Sequence, residues 1–344
     1  MTSLSQPAHA RSLPRIFLVF CLLLAAAGCG AGAVVRDSFD YVTQYFDKSE
    51  SSLRKRLVVV PFHSGIAGLD VRAKALSQII TQQLGGQGNL VLVSLDPLQK
   101  EMDKIGSGIR DPQERMLEAA RRLGYNTILT GRITDLSVSY RFKGIYGFRG
   151  NTPFLGLEAD LSLYDATSGT LVAQWSPKKE IELDDTESEN IKLGKAPPVK
   201  KVDNLAAQMV KPVLEWVVEK VSQQPWSGVV LAVEGDKIKV PVGRDTGLPL
   251  ESLLTVYARG QKITTGGGRP IYLPGRPVGR IVLKEMGPRA SWAVALPGEE
   301  KEEKKEKEEA GKEDKKDKDK KDKDKKESKP QPLKFEVGQV VRLR

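Results

Sequence analysis

The first pattern in the chain is an apolar run of twelve residues, 16–27, and its length decides its meaning. A helix that spans a bilayer needs about 20 apolar residues. The run is therefore read as the core of a bacterial signal peptide, with Arg11 and Arg15 before it and Ala26-Ala27-Gly28-Cys29 after it. Phe39, Val42 and Phe46 then recur at helical spacing, which predicts a short amphipathic helix docked on the protein body. Leu57-Val58-Val59-Val60, ended by Pro61, reads as a strand buried on both faces. Asp70 is placed to cap a helix whose stripe is Leu76, Ile79, Ile80 and Leu84, stopped by Gly85-Gly86. A second strand is expected over 90–95. A helix opened by Asp96-Pro97 would bury Leu98, Met102 and Ile105. Asp111-Pro112, with Glu114 as in a capping box, opens a third helix that ends at Leu123-Gly124.

From Thr127 the period changes to two. A long strand begins there, and a return strand carries Leu157, Ala159, Leu161 and Leu163 on one face. A turn over 165–169 leads to a strand with Leu171, Ala173 and Trp175. Residues 176–202 are polar and predict a surface loop. Leu205, Met209, Val213, Trp216, Val217 and Val221 predict a helix over 203–224. Strands and helices in this order imply an α/β layered domain around one sheet. Beyond Pro225 the segments are short. Runs at 228–233 and 237–242 flank Glu234-Gly235-Asp236, a hairpin signature, and further strands are expected over 253–258, 278–284, 290–296 and 335–343. This spacing suggests a small barrel or sandwich. The expected organisation is a signal peptide over 1–28, a lipid-anchored tether over 29–55, the α/β domain over 56–224 and the β domain over 225–344.

Cysteine and histidine then narrow the chemistry. Cys29 directly follows small residues, as lipoprotein processing requires, and is the expected site of lipidation. Each buried acyl CH₂ contributes about 0.8 kcal/mol, so two or three chains anchor stably. Cys21 and His9 leave with the signal peptide, so the mature chain retains His63 alone and no free thiol. Disulfides, cysteine–histidine dyads and cysteine- or histidine-based metal clusters are thereby excluded. No cofactor and no metal are expected; a Ser-His-Asp triad would have to use His63, and carboxylate-only chemistry stays open. The outer membrane is favoured as the address because Gly30, not Asp, follows Cys29.

The formal charge is +10. The tract over 299–329 does not supply it, because its 14 lysines are balanced by 14 acidic residues. That tract lacks apolar residues and reads as a disordered insertion between the last two strands. In an exported protein a basic surface favours anionic lipid or peptidoglycan as contacts, and argues for no nucleic acid.

Three segments carry a family resemblance: RLVVVPF at 56–62, ARRLGYNTILTGRI at 120–133 and LSLYDATSGTLVAQW at 161–175. Together they resemble the domain shared by the curli secretion lipoprotein, the lipoprotein activators of penicillin-binding proteins, the TolB amino-terminal domain and the middle domain of flagellar assembly protein T. GVVLAVEGDKIKVPVG, LLTVYARG, PVGRIVLKEM and FEVGQVVRL resemble the carboxy-terminal SH3-like domain of that flagellar protein. The resemblance implies an α/β layered domain followed by a small all-β SH3-like barrel, in a non-catalytic envelope scaffold whose partners are envelope or flagellar proteins. Its alternative is an activator of cell-wall synthases; a secretion-channel subunit and a glycan-processing enzyme stand behind both. The segment from 140 bears on the channel. Tyr140, Phe142, Tyr146 and Phe148 share one face of an extended stretch, with Arg141, Lys143 and Arg149 on the other. They are the candidate partner-binding residues, and an ordinary exposed hairpin is the competing reading. Three further signals are weighed as structural: Gly85-Gly86-Gln87-Gly88 as a helix stop, His63 as a surface residue, and Asp184, Asp185, Glu187 and Glu189 as a solvated acidic loop.

Overall fold

The apolar run at 57–60 and the alternating strands after Thr127 meet in one mixed sheet. The computed structural model describes residues 53–144, 150–264, 270–273, 275–296 and 334–343. Cys29, the helix expected around Phe39, Tyr146, Phe148 and the insertion over 299–329 lie outside the described residues. The first strand, β1 (Lys55–Val59), is buried throughout and pairs in parallel with β3 (Leu90–Leu92) and β4 (Thr127–Lys143). A two-residue strand, β2 (His63–Ser64), runs parallel to β4. The sheet continues antiparallel through β5 (Gly150–Asp165) to β6 (Leu171–Trp175), and β7 (Lys178–Glu182) also pairs with β5.

Both faces of this sheet are covered, as a doubly apolar β1 requires. Leu57, Val59, Leu129, Ile133, Leu157 and Leu161 pack on α1 (Asp70–Leu84) and α5 (Val199–Ser222). Val58, Ile128 and Tyr164 pack on α2 (Leu95–Ile105) and α3 (Pro112–Arg122). Gly131 lies where Phe62 crosses β4; a Cβ there would meet the Phe62 ring at 2.7 Å.

Several local expectations are corrected. The polar stretch 176–202 is not a loop, because it contains β7 and α4 (Asp185–Lys192). Asp70 is the first residue of α1 and not its cap; its carboxylate accepts the Ser64 N–H at 2.8 Å. Ile79 is 41% exposed, and Ala73 takes its place on the buried stripe. Leu95 already belongs to α2, and Ser94, not Asp96, caps it by accepting the Asp96 N–H. Asp111 does cap α3, accepting the Gln113 N–H at 3.1 Å.

The second lobe is a curled antiparallel sheet ordered β8 (Ser227–Val229), β16 (Val340–Leu343), β11 (Leu253–Tyr257), β14 (Pro277–Met286), β15 (Ser291–Ala295), β10 (Lys237–Val240) and β9 (Ala232–Glu234). The expected single strand over 228–233 is two strands, at opposite edges of the sheet. Only Val230 and Leu231 separate them. The Val230 N–H donates to Gln339 O and the Leu231 N–H to Lys239 O, so consecutive residues bond to both sides of the curl. The last strand is shorter than expected, with 335–339 forming its approach. A separate hairpin, β12 (Lys262–Thr264) with β13 (Pro270–Tyr272), completes the described strands.

Residues from both ends of the α/β lobe serve the curled sheet. Leu53 and Trp226 sit in its core with Val240, Leu254, Ile281 and Val341. The described elements all belong to one compact unit, Ser49–Arg344.

Candidate functional site

Two surface features stand out from this frame. The first is the far end of the β4–β5 hairpin. Strand β4 is mostly buried as far as Ile133, with Arg132 exposed, half-buried through Ser139 and exposed from Tyr140. Its pairing with β5 continues to Lys143 opposite Gly150, so the two strands stay paired as a ribbon along this exposed stretch. Alternation puts Val138, Tyr140 and Phe142 on one face. That face is partly covered by α4, where the Tyr140 hydroxyl and Ser188 Oγ are 2.6 Å apart. Lys192 stands 4.9 Å from the Tyr140 ring centroid. Hydrogen bonding to Ser188 and then to Lys192 lowers the Tyr140 pKa, since both partners favour the phenolate. Phe142 is 80% exposed.

The opposite face of the hairpin is ionic. Arg141 pairs with Glu180 and Lys143 with Glu182, both reaching across β5 to β7. The Arg141 guanidinium also lies 5.4 Å from the Phe154 ring. Of the four candidate partner-binding residues, the structure therefore places Tyr140 and Phe142 on one face, one anchored to α4 and one open.

The second feature is a cleft between α3 and the β12–β13 hairpin. It has a volume of about 510 Å³ and is lined by the 108–111 loop, Glu114, Glu118, Arg122, Arg259, Lys262 and Tyr272. Lys262 pairs with Glu114 at 2.6 Å, and the hydrogen bond raises the lysine pKa. Glu118 is shared by Arg121 and Arg122. The Arg121 guanidinium lies 4.3 Å from the Tyr272 ring and that of Arg259 5.5 Å. Sequence reasoning missed this cleft because its two walls are about 150 residues apart. The capping signal at Asp111 was legible, but nothing near it announces Arg259 or Tyr272.

The remaining sequence candidates have structural roles. Gly85 ends α1. His63 is exposed on β2, opposite Arg132 in the strand pairing. Asp184 and Glu187 form the capping box of α4, and Lys201 pairs with Glu187. Among the described residues no group of three or more histidine, cysteine or acidic side chains is arranged to hold a metal. No described helix is long and apolar enough to cross a membrane.

No family model matches the chain, and no curated protein matches it. Similar solved structures exist. A hypothetical protein from Chlamydia trachomatis is 13% identical with a TM-score of 0.33, covering 49% of this chain and 98% of that one. The C-terminal domain of LpoB from Salmonella enterica is 16% identical with a TM-score of 0.26, covering 38% and 85%. Lipoprotein GNA1162 from Neisseria meningitidis is 13% identical with a TM-score of 0.26, covering 48% and 99%. At these TM-scores the likeness carries no functional argument.

Proposed function

We propose that this chain is a non-catalytic, lipid-anchored scaffold of the bacterial cell envelope, held on the periplasmic face of the outer membrane. One observation carries the reading: the 16–27 apolar run closes on Ala26-Ala27-Gly28-Cys29, which makes Cys29 the acylated first residue of the mature chain. Two or three acyl chains fix the protein at a bilayer. The folded body then works by position, presenting surfaces to a larger complex. The exposed Phe142, with Tyr140 beside it and Tyr146 and Phe148 further along the sequence, is the partner contact. The curled sheet acts as an SH3-like module, and the resemblance of its segments to flagellar assembly protein T makes the flagellar basal body the complex of first choice.

The test is crosslinking in intact cells followed by mass spectrometry of the captured proteins, with Cys29→Ser and Phe142→Ala variants alongside. The expected result is capture of basal-body ring proteins, lost with Cys29→Ser and weakened with Phe142→Ala, together with loss of motility on deletion. Capture of cell-wall synthases with intact motility would replace the flagellar assignment by synthase activation. Capture of lipid and no protein would overturn the scaffold reading, and glycan turnover by the purified protein would overturn its non-catalytic character.

A further inference from the structure

The cleft between α3 and the β12–β13 hairpin holds more positive charge than its own carboxylates balance. Four cations line it, Arg110, Arg122, Arg259 and Lys262, and Arg121 lines a small adjoining pocket. Three carboxylates face them, and each already has a role. Glu114 is engaged by Lys262, Glu118 is shared by Arg121 and Arg122, and Asp111 accepts the Gln113 N–H as the cap of α3; Glu101, outside the lining, also pairs with Arg122 at 3.6 Å. Arg110 and Arg259 form no ion pair among the described residues, and the lining keeps a positive excess.

The packing brings like charges together. Arg121 and Arg259 both lie against the ring of Tyr272, which attracts each cation without neutralising it. The backbone at Tyr272 is held in turn, because its N–H donates to Ser168 O at 2.9 Å. Cations gathered on one aromatic ring repel one another, and a bound anion relieves that repulsion. Guanidinium groups suit this task, since their forked donors match the oxygens of a phosphoryl group in pairs. The walls are polar and the cleft is open, so an apolar ligand would gain little there.

We propose that this cleft binds a phosphoryl group, with Arg110 and Arg259 as its principal ligands and Lys262 and Arg122 as flanking charges. A single carboxylate can bridge two guanidiniums but brings one charge, whereas a phosphate dianion brings two charges and three oxygens to the pair. The source is either the headgroup of an anionic lipid or a phosphate borne by a soluble or polymeric molecule. The site is independent of the scaffold reading, because it makes no use of the β4–β5 hairpin or of Cys29.

The experiment is isothermal titration of the full acylated protein, in a nonionic detergent, with inorganic pyrophosphate. One saturable site is expected, weakened by added salt. Arg110→Gln/Arg259→Gln should bind at least about tenfold more weakly, the scale of losing two charge-assisted contacts. Arg110→Lys/Arg259→Lys keeps the charge and should recover part of the loss, which separates a missing ligand from a folding defect. Lys74→Gln, on α1, should bind as the parent does. Absence of saturable binding at millimolar pyrophosphate overturns the proposal, as does a glutamine double variant that binds like the parent. Phosphatidylglycerol in the micelles distinguishes the sources: displacement of pyrophosphate assigns the cleft to a lipid headgroup, and undisturbed binding assigns it to a non-lipid phosphate.

Discussion

The Asp165 carboxylate accepts the Thr167 N–H at 2.8 Å and the Ser168 hydroxyl at 2.6 Å, closing the turn between β5 and β6. Burial pushes its pKa up from 3.8, and those hydrogen bonds only partly oppose the rise. A carboxyl whose native pKa is raised contributes stability that is full below the unfolded value and lost as pH climbs through the native one. Asparagine can still accept the Thr167 N–H through its single carbonyl oxygen, its NH2 can donate to Ser168 Oγ instead of accepting from it, and it carries no charge. The stability of Asp165→Asn relative to the parent should therefore rise with pH through that window and then level off. Urea midpoints of both proteins, followed upward in pH from the ordinary carboxylate value of 3.8, measure this; a difference that stays constant with pH would sink the assignment. The turn itself was legible from Asp165 and Gly169. Its wider role was not, because Thr167 meets Ser227 and Ser168 O meets the Tyr272 N–H, and both partners lie in the other lobe.

At the scale of elements, the sequence showed best those segments whose apolar period is long. Strands β1, β4, β5 and β6 and helix α5 all carry such a period, and each exists. Strand β7 and helix α4 lack one. Lys178, Lys179, Glu180 and Glu182 surround a single Ile181, and that strand forms because β5 offers an open edge and its glutamates meet Arg141 and Lys143. Helix α4 has only eight residues, too few to be stable alone. Its capping box and the contacts of Ser188 and Lys192 with Tyr140 hold it in place. Asp184→Ala removes the box, at a cost of about 1 kcal/mol to the helix. The expected outcome is faster amide exchange confined to 185–192, with the urea midpoint of the whole protein almost unchanged, since local opening needs less than global unfolding. A uniform rise in exchange would mean that α4 is integral to the core. The split of β8 from β9 was hidden for a different reason: two strands joined by two residues read as one apolar run until the curl of the sheet sends them to opposite edges.

At the scale of the molecule, the two lobes are joined by buried polar contacts as well as by the chain. Arg56 is 3% exposed and sits where they meet. Its Nε and Nη2 donate to the Asp245 carboxylate at 3.0 and 2.9 Å, and Nη2 also reaches Arg289 O. Its backbone N–H donates to Asn126 Oδ1, and the amide of Asn126 donates to Ser227 O. Gly124, at φ 69°, lets Pro241 approach where a Cβ would fall 2.3 Å from the proline Cβ. Leu53 meanwhile fills the core of the curled sheet from the N-terminal side of β1. With so many cross-lobe groups buried, neither lobe can open without stranding the partners of the other. Arg56→Met leaves Asp245 unpaired and should cost about 3 kcal/mol. Arg56→Met/Asp245→Leu removes both charges and should recover most of that loss, because the penalty belongs to the orphaned carboxylate rather than to a missing attraction. Native-state amide exchange reads the coupling: in Arg56→Met, protection should fall by the same amount in β4 of the first sheet and in β14 of the second. Loss of protection in one sheet alone would show that the lobes unfold separately and that Arg56 stabilises only the side it is measured on.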